Sequence, residues 1–88
     1  MLRLTRLAGD PNLVRIKAEG TITQAWVPVL EQELASAFGD AARVEIDFRD
    51  VAYVDRSGVA YLRQLPRERF EIVNCTPVLG ELLNRELA

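Results

Sequence analysis

The four residues Asp55-Arg56-Ser57-Gly58 put a carboxylate, a guanidinium, a hydroxyl and a position without a side chain next to one another. A serine attacks as a nucleophile only beside a base, and the chain has no histidine. That removes the usual general base, the commonest metal ligand and every Ser-His or Cys-His pair. Ser57 has no visible base, so hydrolase or transferase chemistry is not expected. Cys75 is the single cysteine. It has no internal disulfide partner and no Cys or His companion for a redox or metal site, which fits a reducing compartment. It reads as a small buried hydrophobe. Catalytic residues, metal and cofactor are all expected to be absent. What the four residues can do without a base is bind. Asp55 or Ser57 can cap a helix, and Gly58 lets a neighbouring backbone come close. Arg56 is either a solvated surface residue or a contact to a partner, since Arg is enriched where binding energy concentrates.

The hydropathy pattern shows which elements must hold these residues. Four segments alternate apolar and polar residues with period two, the mark of a strand with one buried face. Leu2 and Leu4 alternate with Arg3 and Thr5. Val14, Ile16 and Ala18 alternate with Arg15, Lys17 and Glu19. Val44, Ile46 and Phe48 alternate with Arg43, Glu45, Asp47 and Arg49, and Phe70 and Ile72 with Arg69 and Glu71. Gly9-Asp10-Pro11-Asn12 predicts a hairpin turn between the first two. Residues 24–38 predict a helix, with Trp26, Leu30, Leu34 and Phe38 on one face. Pro28 is comfortable only in a first turn, so the regular helix starts near Val27 or kinks there. Gly39-Asp40 is expected to end it. A second helix is expected from about Ser57 to Leu65, with Val59, Leu62 and Leu65 inward and Pro66 closing it. A third starts at Thr76-Pro77, a good cap and first-turn pair, and carries Val78, Leu79, Leu82 and Leu83 inward although Gly80 weakens it.

The order is therefore β-β-α-β-α-β-α in one domain spanning residues 1–88. If the last three strands lie side by side in sequence order, right-handed crossovers put the helices on one face of the sheet. Strands covered on both faces would read as continuous apolar runs, and these do not. The expected fold is α/β, a two-layer sandwich: a mixed four-stranded sheet with helices on one face. The open face carries Arg3, Arg15, Lys17, Glu19, Glu45, Asp47, Arg49 and Glu71, and is either solvated surface or the contact of a homodimer. Net charge is −2 with both signs interspersed, unlike the clustered Lys and Arg of a nucleic-acid binder. No apolar run is long enough to span a membrane, and the first residues carry no stretch that resembles a secretory signal. These features predict a cytoplasmic chain with neither nucleic acid nor inserted membrane as partner.

In this topology strands two, three and four end on one rim, where all three helices begin with unpaired N–H groups and partial positive charge. Gly20 to Thr23, Asp50 to Gly58 and Asn74 to Pro77 are expected to line it as loops. Thr21, Thr23, Trp26, Asp55, Arg56, Ser57, Gly58 and Thr76 are the candidate partner-binding residues. Trp26 is either core or a half-exposed anchor beside the rim.

From Arg43 to Leu65 the chain resembles the signature of STAS domains, the family shared by sulfate transporters and anti-sigma factor antagonists. That signature is an alternating strand, an apolar pair before Asp, then Asp-Ser-Ser-Gly and an apolar helix. Tyr53, Val54, Asp55, Ser57, Gly58 and Val59 match it. Ile16 to Ile22 looks like the family's second strand with its terminating Gly. Val73-Asn74-Cys75-Thr76-Pro77 resembles the last core strand entering a Ser/Thr-Pro helix start. The resemblance covers about residues 13 to 83, and implies a minimal version of a domain that usually continues with another element. It implies a non-catalytic protein-interaction module of the anti-sigma factor antagonist kind, bound to a partner kinase or a transporter ATPase subunit. In partner-switching members the first Ser of the motif is phosphorylated. Here that position is Arg56, so no phosphoswitch is expected there. Ser57 matches the second Ser and is the remaining candidate for phosphorylation, about 100° further round the helix. The alternative function is a sensor of a small anionic ligand or nucleotide held by the same helix starts.

Overall fold

The alternating segments form one sheet, and its longest strands run past the point where their alternation stops. The computed structural model describes residues 1–7 and 10–81. Strand β1 (Leu2–Leu7) pairs antiparallel with β2 (Leu13–Ile22), with Leu4 opposite Ala18. The Asp10 side chain holds the connecting turn by accepting from the Asn12 N–H at 2.8 Å, while Gly9 of the expected turn lies outside the described residues. Strand β3 (Arg43–Val54) lies parallel to β2, and β4 (Phe70–Val73) parallel to β3. The strand order is β1-β2-β3-β4. Helices α1 (Val27–Asp40) and α2 (Arg56–Arg63) connect the parallel strands, and a third helix begins over residues 77–81. This is the mixed four-stranded, two-layer arrangement that the pattern predicted.

The segment from Asp50 to Val54 is strand, not the expected loop. From Val44 to Val54, β3 advances ten residues while β2 advances eight, from Val14 to Ile22. Two residues of β3 are therefore bulged, at register shifts between Lys17 and Glu19 and between Gly20 and Thr21. Each bulge inverts the phase of the pleat. The inward positions accordingly run Val44, Ile46, Phe48, Val51 and Val54. A pattern with intervals of two, two, three and three does not read as a strand. Likewise Gly20 to Ile22 belong to β2 rather than to a loop. Gly20 has φ +106°, a left-handed conformation, and a side chain there would strike the Met1 carbonyl.

The helices bury one stripe each. Leu30, Leu34 and Ala37 of α1 meet Val59 and Leu62 of α2 and the inward residues of the sheet in one core. Pro28 sits in the first turn of α1. Gly39 is helical rather than terminal: α1 runs through Asp40 and Ala41 closes it in extended conformation. Arg69 closes its end, donating to Phe38 O (3.0 Å) in the helix and to Ala41 O (3.2 Å) and Ala42 O (2.8 Å) just beyond it, and lies over the Phe38 ring. That removes the need for a glycine after the helix. Helix α2 starts one residue before the expected Ser57 and ends two before Leu65, because Asp55 is the capping residue and Gln64 already leaves the helix. Leu79 is buried, but Val78, expected inward, is 77% exposed. Leu82 and Leu83 lie outside the described residues.

One expectation about the rim needs correction. β4 stops at Val73, opposite Asp47 and Lys17, whereas β2 continues to Ile22. Those five residues amount to about 17 Å of strand. Three residues, from Asn74 to Thr76, reach only about 10 Å. The third helix start is therefore set back from the other two. Asn74 ends β4 by adopting φ 55° and donates its side-chain N–H to Asp47 Oδ2 at 3.1 Å. Asn tolerates that conformation better than most residues.

Candidate functional site

Asp55 is the one residue between β3 and α2, and it ties the two true rim connections together. Its backbone N–H donates to Ile22 O at 2.9 Å, fastening the end of β3 to the end of β2. Its Oδ1 accepts from the Gly58 N–H at 2.8 Å as the α2 cap, and its Oδ2 accepts from the Gln24 N–H at 2.9 Å on the approach to α1. Both carboxylate oxygens are thereby engaged. Gly58 is buried beneath this corner. A Cβ there would lie 2.8 Å from both Ile22 Cγ2 and Val54 Cγ1, and 3.1 Å from Ile22 O. Asp55 and Gly58 thus build the corner, while Arg56 is exposed on it and Ser57 is half-buried.

The other candidates divide. The Thr21 hydroxyl is engaged by Met1, accepting from its amino group at 3.2 Å. The Thr23 carbonyl accepts from the N–H groups of Trp26 (2.8 Å) and Val27 (3.0 Å), forming the turn that launches α1. Trp26 occupies the position before α1 and is half-buried against the core. Thr76 caps the helix over residues 77–81, its Oγ1 accepting from the Leu79 N–H at 3.3 Å. It stands back from the Asp55 corner for the reason given above.

Tyr53 and Val29 belong to the rim as well. Tyr53 pairs with Thr21 near the end of β3 and is 53% exposed, and Val29 in the first turn of α1 is 43% exposed. Tyr53 was recognisable as part of the motif, but its exposure depends on the bulge beside it.

The helix starts have few N–H groups left for an anion. At α1 the N–H groups of Trp26, Val27, Val29 and Leu30 all have backbone acceptors, and Pro28 has none to offer. At α2, Asp55 takes those of Gly58 and Val59. Among the described residues no cluster of three or more His, Cys, Asp or Glu is arranged to hold a metal. Cys75, expected buried, is only partly buried against the core, and that burial pushes its thiol above its ordinary pKa.

Several charges elsewhere are paired within the chain. On the open face Arg15 pairs with Glu45 (3.4 Å), Lys17 with Asp50 (3.1 Å) and Arg43 with Glu71 (4.0 Å). Burial tends to raise the Asp47 carboxyl, but the Arg49 N–H, the Asn74 side chain and the charges of Arg49 and Lys17 outweigh it and hold Asp47 below the usual carboxylate range. Arg6 shares the inward phase of Leu2 and Leu4, yet reaches to α1 and binds Glu33 (3.0 Å), Ser36 (3.0 Å) and Asp40 (2.7 Å).

The order of elements, the bulged third strand and the Asp-capped corner can be set beside known proteins. A family model described as Mlab, STAS domain matches residues 5–85. The chain belongs to this STAS family. Among solved structures, the STAS chain is similar to an anti-sigma factor antagonist from Mycobacterium paratuberculosis, with 20% identity and a TM-score of 0.79 over 98% of this chain and 78% of that one. It is also similar to the anti-sigma factor antagonist SpoIIAA in its unphosphorylated form, with 15% identity and a TM-score of 0.71 over 96% of this chain and 80% of that one. Both likenesses are of fold. No curated protein matches the sequence. STAS domains of this kind are in general protein-interaction modules rather than enzymes, and no helix among the described residues is long and apolar enough to cross a membrane.

Proposed function

We propose that this STAS domain is a non-catalytic docking subunit of the cytoplasm that binds a protein partner through the corner formed by Tyr53, Asp55, Arg56, Ser57 and Gly58 and the start of α1. The partner is a regulatory kinase of the anti-sigma kind or the ATPase subunit of a transporter. The observation that carries the reading is the division of labour at the corner. Asp55 and Gly58 are consumed in building it, while Arg56, Tyr53 and Val29 are left exposed around it. An aromatic, an Arg and an aliphatic side chain on a rigid edge suit a protein contact. The family and the two antagonist-like structures support the same reading.

Arg56 occupies the place of the phosphorylated Ser of partner-switching relatives. It carries a fixed positive charge where phosphate would carry about −1.5 to −2. Ser57 is half-buried in the first turn of α2. Binding is therefore constitutive rather than switched at this position. The anion-sensor alternative is weakened by the bonded N–H groups of Trp26, Val27, Val29 and Leu30 at α1 and of Gly58 and Val59 at α2.

The test is capture from a lysate of the native host with wild type and Arg56→Glu, followed by mass spectrometry. Wild type enriches a defined protein and the variant loses it. If neither enriches anything, or both enrich the same set equally, the docking role fails.

A further inference from the structure

The two main helices carry opposite charge. Helix α1 contains Glu31, Glu33 and Asp40 and no basic residue; α2 contains Arg56 and Arg63 and no acidic one. The acids of α1 are largely spent, with Glu33 and Asp40 held by Arg6. On α2, Arg63 is engaged within the chain, and Arg56 carries the exposed charge at the start of the helix. Arg56, Ala60 and Arg63 stand at i, i+4 and i+7, one face of a helix, and all three are exposed while Val59 and Leu62 point into the core. Beside Arg56 the only carboxylate of the corner, Asp55, has both oxygens committed to backbone N–H groups. Among the described residues Arg56 has no ion-pair partner. Tyr53, just before the corner, adds an exposed ring.

We infer that the partner of this corner is an acidic protein segment, one that sets a carboxylate against Arg56 and an apolar side chain against Tyr53. The inference rests on the docking role proposed above and specifies its chemistry. A guanidinium receives a carboxylate in two parallel hydrogen bonds, a geometry lysine cannot reproduce. The Gly58 and Val59 N–H groups at this helix start are already held by Asp55, whereas the Arg56 guanidinium stands exposed on the corner to meet an anion. An acidic side chain on a protein satisfies this, and a neighbouring apolar residue uses the ring. Charge complementarity of this kind sets partner choice and association rate.

Peptides of random sequence displayed on phage are selected against the full chain, and the enriched ones are synthesised for titration. Peptides rich in Asp and Glu next to Leu, Phe or Trp are expected. Their affinity falls about tenfold or more with Arg56→Glu, recovers in part with Arg56→Lys, falls with Tyr53→Ser and weakens with added salt. Arg56 and Tyr53 are exposed, and unchanged circular dichroism of each variant confirms folding. Binding lost with Tyr53→Ser but indifferent to Arg56→Glu and to salt overturns the acidic partner and leaves the docking corner standing. Binding indifferent to both variants overturns the corner itself. Self-association of the chain in sedimentation that is lost with Arg56→Glu makes a second copy the occupant and overturns the inference, as does a selection that yields no binder.

Discussion

Replacing Asp55 by Ala removes two acceptors at once, from the Gly58 N–H and the Gln24 N–H. Loss of an N-cap side chain costs about 1 kcal/mol. The second bond joins separate connections and accepts on a charged oxygen, adding about 1 kcal/mol, since the group is only half-buried and water replaces part of it. The sum, about 2 kcal/mol, is a sizeable part of the roughly 4–13 kcal/mol expected for a chain of this length. With a urea slope of about 1 kcal/mol per molar for a small protein, the unfolding midpoint drops by about 2 M. Asp55→Asn keeps one acceptor oxygen and loses about half as much. Ser57→Ala makes the contrast. Its hydroxyl caps nothing here, so it stays within about 0.5 kcal/mol of wild type, like an ordinary surface change. Urea titration followed by Trp26 fluorescence and by far-ultraviolet circular dichroism measures all three. The reasoning is refuted if Asp55→Ala shifts stability by less than about 0.5 kcal/mol, or if Ser57→Ala costs as much as Asp55→Ala.

Two further outcomes follow from the same geometry. Gly58→Ala drives a methyl to within 2.8 Å of Ile22 Cγ2 and Val54 Cγ1, an overpacking expected to cost about 1–3 kcal/mol; a urea midpoint equal to wild type contradicts the close approach. Asp47 has a folded-state pKa below the ordinary carboxylate range, so its contribution is complete above that range and is lost as pH falls through the depressed folded value. Acid titration of Asp47→Asn should accordingly show a shallower loss of stability on the acid side than wild type, and identical acid limbs argue against the shift.

The two-layer fold was readable because its signals are local. Val44, Ile46 and Phe48 alternate with charge, and a residue pair two apart must lie on one face of a strand wherever the strand goes. Pro28 marks the first turn of α1, and Thr76-Pro77 marks the third helix start, for reasons internal to those residues. The corner was readable as a motif, and the chain's lack of histidine excluded most catalysis without any coordinates.

Other features depend on residues far apart in sequence. Whether Asp50 to Val54 is loop or strand turns on bulges, which exist only relative to β2. The choice of Asp55 over Ser57 as cap is made by Gln24 and Ile22, which arrive from another connection. Gly39 stays helical because Arg69, from beyond α2, takes the carbonyls that a terminal glycine motif would otherwise satisfy. Arg6 lies in phase with Leu2 and Leu4, and only the packing of α1 over β1 supplies the acids that let a guanidinium replace a leucine there. The residue types alone established a half-covered sheet, its connecting helices and an Asp-to-Gly corner. Tertiary contact decided which side chains that corner consumes and which it leaves exposed, because hydrogen-bond partners and strand register are properties of neighbours in space.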